Sequence, residues 1–181
     1  MIKSEKLIYD LCALVQQHIQ YSKSLLNLPE KSLQFRLNNN SWCVLECLEH
    51  LNLYGDFYLI EIKKRITTSK SKKNTSFKTG FLGNKFALDM LPKEQMKTMN
   101  TFKSKNPIHS DLSKEKVLLK FIHQQEEMLN LLTLALEKDL NKIKTSITLP
   151  LLKFKLGDTF RFVIYHNERH IVQAKKVLEN L

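Results

Sequence analysis

The sequence predicts an all-α protein, a single four-helix bundle over residues 1–181, and three observations support this prediction. Glycine and proline number four each, so residues that break helices are scarce. Apolar residues recur at helical spacing in four long stretches. A chain of 181 residues is also long enough for one domain with a sizeable core.

The first predicted helix covers residues 4–27. Ser4 is its candidate N-cap, and Pro29 ends it because proline cannot continue a helix. Residues 30–41 are predicted to form a loop, since the run of asparagines that starts at Asn38 is typical of turns. This loop leads directly into the second helix.

The second predicted helix runs from Trp42 to about Thr67, with Ser41 as its N-cap. It is apolar around much of its circumference, as expected of a helix inside a bundle. Residues 68–112 are polar and irregular, apart from an apolar island at residues 81–91 that could form a short helix. A connection this long fits a crossover between the second and third helices, and such connections often cover a site or carry a partner surface.

The third predicted helix runs from a Ser113 cap to about Leu140. Residues 145–156 alternate weakly in polarity and are predicted to form an extended connector. The fourth helix then begins with Asp158 or Thr159 as its N-cap and continues to the last residues of the sequence.

Two histidines of the fourth helix, His166 and His170, are four residues apart and therefore lie on one face, about 6 Å from each other at the backbone. They share a row with Phe162, Ala174 and Val177, so they are predicted to point into the bundle. Buried imidazoles need polar partners, because an unsatisfied polar group costs about 1–3 kcal/mol. A metal ion would satisfy both, although two separately hydrogen-bonded histidines fit the pattern equally well.

His50 is the best candidate for a third imidazole. Three histidines on two facing helices would leave coordination positions open, as in catalytic metal sites. Glu46, one turn before His50, is predicted to hydrogen-bond a ligand imidazole or a metal-bound water, or else to form a salt bridge. Gln173, just past His170, could likewise support a ligand or lie near the helix surface.

The chain resembles the DinB-like superfamily of metal-binding four-helix bundles, also described as YfiT-like metal-dependent hydrolases, and the resemblance covers most of the sequence. Its motifs are Trp42 followed by His50-Leu51, and His166-x-x-Arg169-His170-x-x-Gln173. The resemblance implies an up-down-down-up helix order with a long crossover between helices 2 and 3. It also implies one divalent metal ion, zinc or nickel, on the three motif histidines. Trp42, Tyr54 and Phe57 are expected to pack in the core, and of the remaining histidines only His18 could approach the site.

The resemblance implies a metal-dependent enzyme that acts on a small molecule, either a thiol S-transferase using a low-molecular-weight thiol or a hydrolase. A metal ion with an open position would activate a thiol or a water at neutral pH. The alternative is a non-catalytic, metal-stabilised binding or stress-response module, since a fold does not determine a function. Similar proteins are often homodimers, which makes residues 81–91 a candidate interface.

The formal net charge is +11, and most of it lies in one segment. Residues 61–105 contain twelve lysines and arginines against three acidic residues, a local charge of +9. This basic segment, residues 63–105, could attract polyanions, but the favoured interpretation is a solvated, lysine-rich connection that keeps the protein in solution. It lacks the regular aromatic interleaving of single-strand binders, and no helix-turn-helix motif is evident, so nucleic-acid binding is the least favoured function.

The three cysteines, Cys12, Cys43 and Cys47, form no CxxC pair and indicate free thiols in a reducing compartment. The N-terminal residues contain no apolar run of signal-peptide length. No stretch approaches the roughly 20 apolar residues that span a membrane. We therefore expect a cytoplasmic protein without a membrane partner.

Overall fold

The computed structural model describes residues 1–93 and 100–181, and this part of the chain is mostly helical, which confirms the all-α prediction. In chain order the helices are α1 (Ser4–Leu25), α2 (Glu30–Gln34), α3 (Val44–Thr68), α4 (Phe81–Met90), α5 (Lys114–Ala135) and α6 (Leu156–Leu178). Two antiparallel strand pairs join β1 (Ile2–Lys3) to β2 (Ser76–Phe77) and β3 (Lys144–Ser146) to β4 (Lys153–Lys155). The predicted crossover and basic segment include residues 94–99, which lie outside the described ranges.

The four long helices pack around a shared core: α1 and α3 each contact both α5 and α6. Their buried apolar residues form two clusters, and the boundary between the clusters falls between Leu51 and Tyr58 on α3 and between Ile164 and Ile171 on α6. Polar side chains at this boundary therefore lie in the middle of the core. The up-down-down-up order of the helices stays a prediction. Within the described ranges, no helix combines the length and apolar character needed to cross a membrane.

The loop predicted at residues 30–41 is partly helical, because Glu30–Gln34 form α2. Pro29 precedes this helix with its φ fixed at −58°, and the fully buried side chain of Leu33 attaches the short helix to the core. The asparagine run correctly predicted the turn at the end of this segment. It could not predict the short helix, which depends on the burial of Leu33.

The N-cap of α3 is Cys43 rather than the predicted Ser41, and the helix begins at Val44. A capping box explains the shift: the Glu46 carboxylate accepts from the Cys43 N–H at 3.0 Å, and the Cys43 side chain accepts from the backbone of Glu46. Ser41 instead closes the preceding turn with Asn38. The carboxylate three residues into the helix thus determines where α3 starts.

Ser113 is confirmed as the N-cap of α5, where its side chain accepts from the Lys116 N–H. That helix ends at Ala135, before the predicted Leu140. Ser4 is the first residue of α1 and does not cap it, because its N–H donates to the Thr75 carbonyl at 2.9 Å, next to the β1–β2 pair.

The connector predicted at residues 145–156 forms most of a β-hairpin, in which β3 pairs with β4. Because β4 runs directly into α6 at Leu156, Asp158 and Thr159 lie inside the first turn, and the prediction that one of them is the N-cap is wrong. The Thr159 hydroxyl contacts the Thr145 hydroxyl at 2.5 Å and joins α6 to the hairpin.

The apolar island is helical, and as α4 it packs against the N-terminal half of α6. The buried Asp158 carboxylate accepts from the Gly80 N–H at 2.7 Å, and Arg161 donates to both Asp158 and the Asn84 side chain. Gly83 passes so close to Asp158 that a Cβ at this glycine would lie 2.7 Å from the aspartate Cβ. The two helices touch at a point where only glycine fits.

Replacing Gly83 with alanine should lower the free energy of unfolding by about 1–3 kcal/mol, because the added methyl group overlaps Asp158. If helix propensity alone acted, the same substitution would raise the free energy of unfolding by about 1 kcal/mol. Urea denaturation measures the difference. Lys85→Ala, on an exposed position of the same helix, should change stability by less than about 0.5 kcal/mol. A Gly83→Ala protein as stable as the wild type would contradict the close contact.

Candidate metal site

His50 of α3 and His166 and His170 of α6 come together at the boundary between the two apolar clusters. The Nε2 atom of His166 lies 3.2 Å from Nε2 of His50 and 3.1 Å from Nε2 of His170. One ring nitrogen from each residue lies within 4.8 Å of the others. The structure thus assembles the three histidines that the sequence singles out, in an arrangement that could hold a metal ion.

Two of the three imidazoles are oriented from outside the cluster. Nδ1 of His50 donates to the carbonyl of Lys105 at 2.6 Å, and Nδ1 of His170 donates to Oε1 of Gln173 at 2.8 Å. Because these oxygens only accept, each Nδ1 carries the proton, and each Nε2 presents a lone pair toward His166. The Gln173 contact is the one that the sequence suggests; its role toward a bound metal stays a prediction.

The three Nε2 atoms have too few protons to satisfy one another. A neutral His166 can carry at most one proton on Nε2, whereas both of its neighbours offer lone pairs there. A cation would accept all the lone pairs at once. Zinc–nitrogen bonds of about 2.0–2.1 Å in a tetrahedral site place ligand nitrogens roughly 3.3 Å apart. The separations of 3.1 and 3.2 Å are close to this value, so the donor set fits a divalent ion that takes imidazole ligands.

The surroundings keep the imidazoles neutral. Burial lowers the pKa of His50 to about 4 and that of His170 to about 3. Burial, followed by the proximity of the other two rings, lowers the pKa of His166 well below its ordinary value. Since only neutral imidazole binds a metal, the site needs to lose no proton to bind one at neutral pH.

Aromatic rings line the cluster. The centroid of Trp42 lies 4.7 Å from that of His50 and 5.6 Å from that of His170. The centroid of Tyr54 lies 4.9 Å from that of His50 and 5.0 Å from that of His166. These two aromatic residues therefore pack directly against the imidazoles and limit the access of water to them.

The last part of the crossover, residues 100–112, lies against the site. Besides the Lys105 carbonyl, it contributes the Asn106 side chain, which accepts from the Trp42 indole N–H at 3.1 Å. It also contributes the N–H of His109, which donates to the Glu46 carboxylate. These contacts attach the crossover to the N-terminal half of α3.

Glu46 is fully buried, and its carboxylate accepts from the Arg36 guanidinium and from the N–H groups of Cys43 and His109. Burial alone would raise the pKa of Glu46, but these donors together lower it. Its described hydrogen bonds go to these groups, and the ion pair with Arg36 is the alternative that the sequence left open. A contact with a metal-bound water stays a prediction. Glu46 positions the crossover and the start of α3.

His18 does not join the cluster; its Nε2 lies 2.8 Å from a carboxylate oxygen of Glu168. Sequence patterns did not reveal Lys105 and Asn106, which the structure adds to the surroundings of the site. A backbone carbonyl leaves no pattern in the sequence. The length of the crossover was the signal that this segment could cover a site.

The metal-free protein should lose stability as the pH falls from about 6.5 toward 4. The pKa values of the three histidines are lower in the fold than in the unfolded chain, so the unfolded chain binds more protons in this window. In this window each histidine lowers the free energy of unfolding by up to about 1.4 kcal/mol for each unit that the pH falls. Above about pH 6.5 its stabilising contribution is fully present.

Urea denaturation in the presence of a chelator at several pH values measures this slope. His170→Gln should reduce it by up to about 1.4 kcal/mol per pH unit, whereas His123→Gln, on an exposed position, should leave it unchanged. Equal slopes for the wild type and His170→Gln would contradict the lowered pKa of His170 in the fold.

One comparison with known proteins identifies a family for this chain. The sequence model of the DinB superfamily matches residues 13–174, a range that includes all three histidines and Gln173. Comparison with curated proteins and with solved structures gave no match. The family match covers most of the chain, and the protein therefore belongs to the DinB superfamily.

Proposed function

We propose that this protein is a single-domain, metal-dependent enzyme, an up-down-down-up four-helix bundle that binds one divalent ion on His50, His166 and His170. The observation that carries the proposal is the convergence of three Nε2 atoms with too few protons to satisfy one another. Zinc and nickel are the ions we favour, since both accept imidazole ligands. Three protein ligands leave room in the coordination sphere for a substrate.

The reaction we propose is transfer of a low-molecular-weight thiol to a small electrophilic substrate, or hydrolysis of such a substrate. A divalent ion with an open position supplies Lewis acidity and lowers the pKa of a thiol or water there. The protein keeps the imidazoles deprotonated by burial, and the Lys105 carbonyl and Gln173 orient two of them. Trp42 and Tyr54 shield the rings from solvent.

The second candidate is a non-catalytic, metal-stabilised binding module. The contacts of Glu46 favour it: this carboxylate, one turn before His50 on α3, is held by Arg36 and by backbone N–H groups, so it is not free to move a proton. An enzyme with this site would depend on the nucleophile that the metal generates rather than on a carboxylate base.

The wild type, loaded with zinc or nickel and then desalted, should retain about one ion per chain by elemental analysis. His166→Ala removes the central imidazole and should abolish retention, whereas His123→Ala on an exposed position should not. Gln173→Leu should bind the ion roughly 10–100-fold more weakly, because the His170 ring loses its partner. A wild type that retains no ion would contradict the metal site.

Turnover separates the two candidates. The metal-loaded protein should accelerate the reaction of a thiol such as glutathione or cysteine with 1-chloro-2,4-dinitrobenzene, or the hydrolysis of 4-nitrophenyl acetate. His50→Ala should reduce the rate at least 100-fold, a change of about 2.7 kcal/mol in the barrier. Circular dichroism checks that the variant is folded. Equal rates with the loaded wild type and with His50→Ala would favour the binding module.

A further inference from the structure

We propose that a groove beside the metal site binds a small organic anion with an apolar body, and that this groove holds the substrate of the metal centre. The anion site follows from the residues of the groove itself. Its role as the substrate pocket rests on the proposed function.

The groove has a volume of about 340 Å³, within the range of small-molecule sites. Its apolar walls are Phe57 of α3, Phe102 of the crossover, and Ile147 and Pro150 of the β3–β4 connection. Phe102 is 48% exposed, and an apolar ligand in the groove would cover it. Phe57, expected only to pack in the core, lines this surface as well.

Lys105 provides a cation at the groove. Its side chain is half-buried; Nζ donates to the Leu53 carbonyl at 2.5 Å and lies 5.6 Å from the centroid of the Tyr54 ring. Among the described residues no carboxylate pairs with this ammonium, which keeps further donors for an anion. A partly buried ammonium without an acidic partner gains charge-assisted hydrogen bonds when it binds an anion.

The remaining polar lining suits the same ligand. Ser104 and Thr148 also line the groove, and a hydroxyl group can donate to an anion. The Thr148 hydroxyl lies 3.4 Å from that of Tyr58. In the part of the chain that the structure describes, no acidic side chain lines the groove. Three of the lining residues, Phe102, Ser104 and Lys105, belong to the basic segment 63–105.

Lys105 connects the groove to the metal site. Its carbonyl accepts from His50, and its ammonium faces Tyr54, the ring of which packs against His50 and His166. His50, Tyr54 and Phe57 lie on one face of α3, so about 10.5 Å along the helix separate the imidazole from the groove wall. A small molecule anchored at Lys105 can cover this distance.

The test uses 3-phenylpropionate and its uncharged amide, 3-phenylpropionamide, which share one apolar body. Titration calorimetry at low salt, on metal-free and metal-loaded protein, should show the acid binding at least tenfold more tightly than the amide. Lys105→Met removes the ammonium but keeps the side-chain stem and the backbone carbonyl. It should abolish the preference for the acid without changing the metal content.

Lys103→Met is the matched control, because Lys103 lies in the same 3₁₀ turn, is exposed and does not line the groove. It should keep the preference for the acid. Equal affinity for acid and amide, no binding of either at millimolar concentration, or the same loss in both variants would overturn the anion site.

Cobalt-loaded protein tests the substrate role. Saturating 3-phenylpropionate should change the visible absorption of the bound cobalt, and an unchanged spectrum would overturn that role. A wild type that binds no metal would overturn the proposed function and the substrate role together. The comparison of acid with amide in metal-free protein would still decide the anion site.

Discussion

The shortage of protons among three imidazoles, two of them buried and that of His170 half-buried, is the constraint around which this molecule is organised. Apolar clusters on either side remove the rings from water, and burial keeps them neutral. Acceptors at the Lys105 carbonyl and Gln173 hold protons on the outer nitrogens, so the inner lone pairs have no donors of their own. A cation between the imidazoles would satisfy these lone pairs. This part of the core could therefore hold a cation.

The crossover is attached to the helices on both sides of the site. Its early part is held to α6 through Gly80 and the buried Asp158, and its late part to α3 through Glu46 and His109. His109 has a positive φ of 59°, a backbone conformation that residues other than glycine rarely adopt. Its N–H donates to the Glu46 carboxylate. The ion pair between Glu46 and Arg36 thus supports a strained backbone close to the imidazoles.

Periodicity was sufficient for the long helices, and the spacing of four residues placed His166 and His170 on one helix face. His50 lies on another helix, and the resemblance to the DinB-like superfamily was needed to join it to that pair. The same information did not predict the start of α6, since the hairpin that carries the chain into Leu156 is a tertiary feature. Helical spacing placed Glu46 one turn from His50. It could not show that Arg36, ten residues earlier in the chain, would bind the Glu46 carboxylate. The sequence could not predict the role of the Lys105 carbonyl, because any residue at that position supplies the same backbone oxygen.

That last point has an evolutionary consequence. A ligand oriented by a main-chain oxygen is insensitive to the identity of the residue that supplies it, but it is sensitive to the length and path of the segment around it. Insertions and deletions near position 105 would disturb the His50 ring, whereas substitutions there would not. The Lys105 side chain is consequently free to diverge, and a lineage could change what the groove recognises without altering how the imidazole is held.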